Sequence, residues 1–217
     1  MLGLTLAGAL AWPLAGGGTS GTGGVSGLLP TPAWGRPGRL FLRSEGAAGG
    51  LLLRRDDAAV YRYDPKQSRL GAADVSAWDQ AGGALADCAS QIPATAIRID
   101  TASGRAVLDG RTLPAAGAQV VTTLRSPSTR LAVLLSAGAA RPSLLPALGA
   151  GHQAPFFHQV FALTDSRQLS PSVRLPFGGS SAGLSACWSA DEQFVVYADL
   201  IMTALAIVRI DADGRQP

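Results

Sequence analysis

Ser189-Ala190-Asp191-Glu192-Gln193-Phe194-Val195-Val196 repeats the pattern of Ser126-Pro127-Ser128-Thr129-Arg130-Leu131-Ala132-Val133, 63 positions earlier. Each copy opens on a serine, passes through small or polar turn formers and enters an apolar run rich in strand-forming residues. A second phrase moves with the first. Tyr61-Arg62-Tyr63-Asp64, Ile97-Arg98-Ile99-Asp100 and Val208-Arg209-Ile210-Asp211 each alternate apolar and polar residues and close on aspartate, and Phe161-Ala162-Leu163-Thr164-Asp165 is a looser fourth copy. From Asp100 to Asp165 this phrase shifts by 65 positions, close to the shift of the serine phrase. Two landmarks displaced together point to repeated units of variable length.

Alternation places the two apolar residues of each Asp-closed phrase on one face of a strand and the arginine and aspartate on the other. A turn and a further arginine follow, as in Pro65 to Arg69 and Thr101 to Arg105, and these read as hairpins. Elsewhere, short apolar runs separated by turn signals predict strands over Leu40 to Leu42, Leu51 to Leu53, Val60 to Tyr63, Ala96 to Ile99, Val120 to Leu124, Leu131 to Leu135, Val160 to Leu163, Phe194 to Ala198 and Leu205 to Ile210. Ser68 to Gln91 has room for a short helix, whereas Pro142 and Pro146 make Ser136 to Ala150 a long loop. The expected fold class is all-β.

Composition agrees. Among 217 residues, 27 glycines and 14 prolines favour turns over long helices, and 47% hydrophobic with only 15% charged residues excludes disorder driven by charge. The net charge of +3 is spread along the chain, and Arg54-Arg55 is followed at once by Asp56-Asp57, which reads as a solvated strand end. Nucleic-acid binding needs several phosphates neutralised together, so it is not expected. Met1 to Ala15 is apolar and uncharged but too short to span a bilayer, so no transmembrane span is expected. It matches the apolar region of a secretory signal without the preceding basic residue; a misassigned start, or a strand with a flexible tail, accounts for it equally. Residues 1–39 are therefore assigned to this apolar segment and a Gly/Pro-rich linker, and 40–217 to the repeat-bearing domain. Localisation follows the same alternatives, secreted or periplasmic with a signal and cytoplasmic without one. Cys88 and Cys187 pair if the protein is exported and are otherwise buried thiols.

Ala186-Cys187-Trp188-Ser189-Ala190-Asp191-Glu192-Gln193-Phe194-Val195-Val196-Tyr197-Ala198 resembles the blade repeat of TolB-like and related WD-repeat-like β-propellers, which reads Trp-Ser-Pro-Asp-Gly before an apolar strand. The Ser126 copy keeps the proline but has Ser128-Thr129 in place of Asp-Gly; the Ser189 copy keeps Asp191 and lacks the proline and glycine. The resemblance implies a partial or small β-propeller-like array of antiparallel blades. Its landmarks give three units, or four with Leu40 to Leu53, against the four to eight usual for a closed ring.

No catalytic constellation accompanies the repeats. Gly178-Gly179-Ser180-Ser181-Ala182-Gly183 lacks the lysine of a phosphate-binding P-loop. Adjacent carboxylates such as Asp56 and Asp57 face opposite sides of a strand and form no acid/base pair. His152 and His158 fit no standard metal spacing and read as a polar loop residue and a hydrogen-bonded strand residue. The segment from Ala150 to Phe157 is the candidate binding loop, with His152, Gln153, Phe156, Phe157 and His158 as its contact residues. Trp78 and Trp188 stand either on a binding face or between blades. The expected function is a non-catalytic propeller-like module presenting loops to a protein partner, without catalytic or metal residues and without a cofactor. Alternatives are a propeller domain associated with a peptidase-type hydrolase, or a secreted carbohydrate-binding propeller.

Overall fold

Short β-rich runs bounded by turns become four separate antiparallel sheets in the computed structural model, which describes residues 39–46, 49–55, 59–91, 97–100, 105–108, 110–117, 119–138, 154–179, 184–199 and 205–210. Sheet I contains β1 (Leu40–Ser44), β2 (Leu51–Arg55), β3 (Val60–Asp64), β4 (Arg69–Ala73) and, after helix α1 (Val75–Gln80), β5 (Leu85–Asp87); its order is β4-β3-β2-β1-β5. Sheet II is the meander of β6 (Ile97–Asp100), β7 (Arg105–Leu108) and β8 (Arg111–Thr112). Sheet III is formed by β9 (Gln119–Arg125), β10 (Leu131–Ala137), β11 (Ala154–Ala162) and β12 (Val173–Gly179), and sheet IV by β13 (Leu184–Trp188), β14 (Phe194–Asp199) and β15 (Leu205–Arg209). The all-β expectation holds. The nine strands expected from apolar runs all form; the turn after Asp64 joins β3 and β4 as a hairpin, and β6 pairs antiparallel with β7, the turn between them at 101–104 lying outside the described residues. The short helix between Ser68 and Gln91 is α1.

The burial pattern explains how the sheets stack. In β14, Phe194, Val196 and Ala198 pack with Leu40, Leu42, Leu51 and Leu53 of sheet I, while Val195 and Tyr197 pack with Val133, Leu135 and Val160 of sheet III. A strand covered on both faces has no polar face, which is why β14 and β15 read as unbroken apolar runs. The same holds for β10, whose Leu131, Val133 and Leu135 face sheet IV while Ala132 and Leu134 meet Ala106 and Leu108 of sheet II. The spatial sequence is therefore α1, I, IV, III, II. Sheets II, III and IV follow one another in chain order, and the N-terminal sheet I packs on the C-terminal sheet IV.

That last contact is fastened twice. Cys88, in a single 3-10 turn after β5, forms a disulfide with Cys187 of β13 across 99 residues of sequence. Three residues on, the Gln91 side chain accepts from the Trp188 backbone N–H at 2.8 Å and donates to its carbonyl at 2.6 Å, imitating one rung of a β-ladder. Of the two alternatives for the cysteines, the structure has the disulfide.

Two local expectations are corrected. Arg54-Arg55 is not a solvated strand end: Arg55 is only 6% exposed, and the Arg54 guanidinium lies 5.8 Å from the Trp78 ring centroid. Arg43 covers the same ring at 5.0 Å and donates to the Trp78 carbonyl at 2.9 Å, holding α1 on the outer face of sheet I over Leu52 and Val60. Asp56 and Asp57 lie outside the described residues. The strand expected at Val160 begins earlier, at Ala154, with a register shift between Pro155 and Phe157 where proline supplies no N–H to the ladder.

Candidate functional site

The two serine phrases are two copies of one turn. In the β9–β10 connection, Ser126 N–H donates to the Leu131 carbonyl at 2.9 Å and Ser126 Oγ accepts from Leu131 N–H at 3.1 Å. In the β13–β14 connection, Ser189 N–H donates to the Phe194 carbonyl at 2.9 Å and Ser189 Oγ accepts from Phe194 N–H at 3.0 Å. The serine thus satisfies the first backbone groups of the next strand, which is why each repeat begins with a small hydroxyl residue. Asp191 accepts from Ser189 Oγ at 2.6 Å and from Gln193 N–H at 3.2 Å, tightening the second copy.

In both copies the fourth residue has left-handed backbone, with φ of 64° at Thr129 and 61° at Glu192. Glycine is the residue this conformation favours, and a β-branched threonine is strained there. Thr129→Gly is expected to stabilise the protein by about 0.5–1 kcal/mol, relief of strain exceeding the added freedom of the unfolded chain. Glu192→Gly is expected to do the opposite, because its carboxylate crosses to the neighbouring turn, accepts from Ser128 N–H and lies 3.5 Å from Arg130 Nη2. Burial raises the Glu192 pKa, but hydrogen bonds from Ser128 and Ser126 and the Arg130 charge outweigh it and leave the pKa below its ordinary value. A Glu192→Gly midpoint equal to or above that of the parent would show that this cross-link contributes nothing.

Linked in this way, the turns form an edge of the stack with a cleft on each side. One cleft, of about 360 Å³, runs between β5 and the first turn and includes Leu85, Asp87, Gln91, Arg125, Pro127 and Ala190. The other, of about 310 Å³, is more highly charged and includes Arg130, Asp191, Glu192 and Arg209. A third groove, of about 490 Å³, lies beside α1 and is bridged by the Arg62–Glu45 ion pair, 2.6 Å long.

The residues expected to form a binding loop are distributed differently. His152 and Gln153 lie outside the described residues. Phe156, Phe157 and His158 are in strand β11, where Phe156 is buried against sheet IV and Phe157 is half-buried on the opposite side of the strand. His158 is fully buried and its Nδ1 is hydrogen-bonded to the Tyr197 hydroxyl, with the two rings edge to face at a centroid distance of 5.5 Å. Its Nε2 has no hydrogen-bond partner among the described residues. Burial lowers the His158 pKa to about 3 and pushes that of Tyr197 well above its ordinary value, so both are neutral across the physiological range. His158 is thus the hydrogen-bonded strand histidine of the two sequence readings. Of the tryptophans, Trp188 is packed between sheets III and IV with Nε1 donating to the Leu124 carbonyl at 3.4 Å, and Trp78 is clamped beneath Arg43 and Arg54.

Among the described residues, no three His, Cys, Asp or Glu side chains converge to hold a metal ion. No described helix is long and apolar enough to cross a membrane. The turn edge was only half legible in the sequence: the serine phrases marked the turns, whereas Leu85 and Arg125 carried no signal, because β5 and the end of β9 reach one cleft only through the stacking of both against β13. No family model and no curated protein matches the sequence.

Proposed function

We propose that the chain is a small β-propeller-like, non-catalytic interaction module that presents the turns of one edge to a protein partner. The stacking order supports the propeller-like part of this reading. Sheets II, III and IV are neighbours in sequence and in space, and sheet I, from the beginning of the chain, packs on sheet IV from its end. A ring of blades brings first and last units together in the same way. The Cys88–Cys187 disulfide supports folding in an oxidising compartment.

The observation that carries the binding part is the pair of serine turns locked together by Glu192 with a cleft on either side. Turns held rigidly by a scaffold lose little entropy on meeting a partner. A photoreactive residue at exposed Pro127, on this edge, is expected to cross-link one defined protein in the native host. The same residue at exposed Ala116, near the far end of sheet III beside Ser136, is expected to capture none. Equal labelling from both positions, or from neither, would sink the reading.

A further inference from the structure

We propose that the cleft between β5 and the Ser126 turn recognises an acidic side chain, Asp or Glu, next to an apolar one in an extended segment of the partner. The proposal rests on the interaction-module reading and names the chemistry of its ligand.

Arg125 ends β9 within this cleft, and its Nε–H is buried without a hydrogen-bond partner. Among the described residues its guanidinium makes no ion pair, hydrogen bond or ring contact. The other charged group in the cleft, Asp87, is already compensated: Arg39 pairs with it, and Ala89 N–H donates to its Oδ1 at 3.0 Å. Gln91 is equally committed, both ends of its amide being bonded to Trp188. The cleft therefore holds one cation in excess, on a residue whose planar fork suits a carboxylate.

The other half of the ligand is set by the apolar lining. Leu85 is 50% exposed at the cleft, one of two large hydrophobic side chains so exposed among the described residues, and Ala86, Pro127 and Ala190 continue the apolar surface beside it. An exposed leucine and an uncompensated arginine in one cleft of about 360 Å³ fit adjacent apolar and acidic side chains. Three of the residues lining the cleft, Leu85, Pro127 and Thr129, are exposed, which suits a segment lying along the surface rather than a chain end inserted into an enclosed pocket. That favours an acidic side chain over a terminal carboxylate.

The test is selection from a library of random peptides displayed without free C-termini, using the full-length protein with its disulfide intact. The selected sequences are expected to carry Asp or Glu beside Leu, Ile or Phe. In synthetic versions with amidated ends, measured by fluorescence anisotropy, Asp→Asn or Glu→Gln in the peptide and Arg125→Gln in the protein should each weaken binding by about tenfold to a hundredfold. Leu85→Asp should weaken it as well, and Arg130→Gln, on the other cleft, should leave it unchanged. Arg125→Gln should unfold at the same denaturant concentration as the parent, because the Arg125 guanidinium bonds no described residue and its backbone rung with Ala132 is kept, so lost binding is not lost structure. Selected peptides without acidic residues, binding indifferent to Arg125→Gln, or binding only through a free terminal carboxylate would overturn the proposal. So would a library yielding no binder at all. None of these outcomes alters the Pro127 cross-linking result, by which the broader interaction reading is judged separately.

Discussion

Replacing both cysteines, as Cys88→Ala with Cys187→Ala, is expected to lower the unfolding free energy by about 4–5 kcal/mol. In the chain-entropy account, closing a loop of this size, with the cysteines 99 positions apart, removes about that much freedom from the unfolded ensemble. The loss should be visible as a lower denaturant midpoint, and reductant should bring the parent protein to nearly the same value. The effect is concentrated where sheet I meets sheet IV. Without the bond that contact retains its apolar core and the Gln91 clamp, so hydrogen exchange in β1 and β5 should accelerate more than in β10 or β11. An unchanged midpoint under reductant would show that the apolar contact alone determines how the first sheet is held.

Acid is expected to have an effect of similar size through His158. In the folded protein its pKa is depressed to about 3, whereas in the unfolded chain it returns to an ordinary value near 6.5. The unfolded state therefore binds a proton that the native state refuses, over the whole interval between those values. The stability associated with neutral His158 is fully present above about pH 6.5, falls by about 1.4 kcal/mol per pH unit below it, and is lost by about pH 3. The total is on the order of 4–5 kcal/mol, added to whatever the carboxylates contribute at the lower end. His158→Gln should be less stable at pH 7, because the packing and the Tyr197 contact are altered, yet should show a much flatter profile between pH 6.5 and 4. A profile of equal steepness in parent and variant would assign the acid sensitivity to other groups.

The sequence made the strands readable to different degrees, and the reasons are physical. Phe194 to Ala198 and Leu205 to Val208 were unmistakable because both faces of sheet IV are covered, leaving every side chain apolar. The return strand β4, Arg69-Leu70-Gly71-Ala72-Ala73, was visible only through the turn before it, since alanine and glycine carry little strand signal and only Leu70 reaches the core. β12 contains Pro176 and two glycines and gave no expectation at all. The serine phrases marked their turns correctly because Ser126 and Ser189 do the same backbone work in each. The order of the sheets was another matter: nothing in residues 40–87 announces that their apolar face belongs against residues 187–207. For the same reason Arg125 and Leu85 could not be joined in advance, and the segment from Ala150 to Phe157 drew notice for aromatic residues of which Phe156 is now seen inside a sheet interface.

The packing of the first sheet on the last has a consequence for how the protein must be made. Leu40, Leu42, Leu51 and Leu53 leave the ribosome long before Phe194, Val196 and Ile207, the side chains that cover them. Phe194 follows Leu53 by 141 positions, so synthesis at roughly 5–20 residues per second leaves that leucine face uncovered for about 7–30 s. During that interval the nascent chain carries a bare greasy surface on a sheet that is otherwise ready to form. Premature termination anywhere before Phe194 would release it in that state, so truncated products should be sticky and chaperone-bound while the complete chain is not.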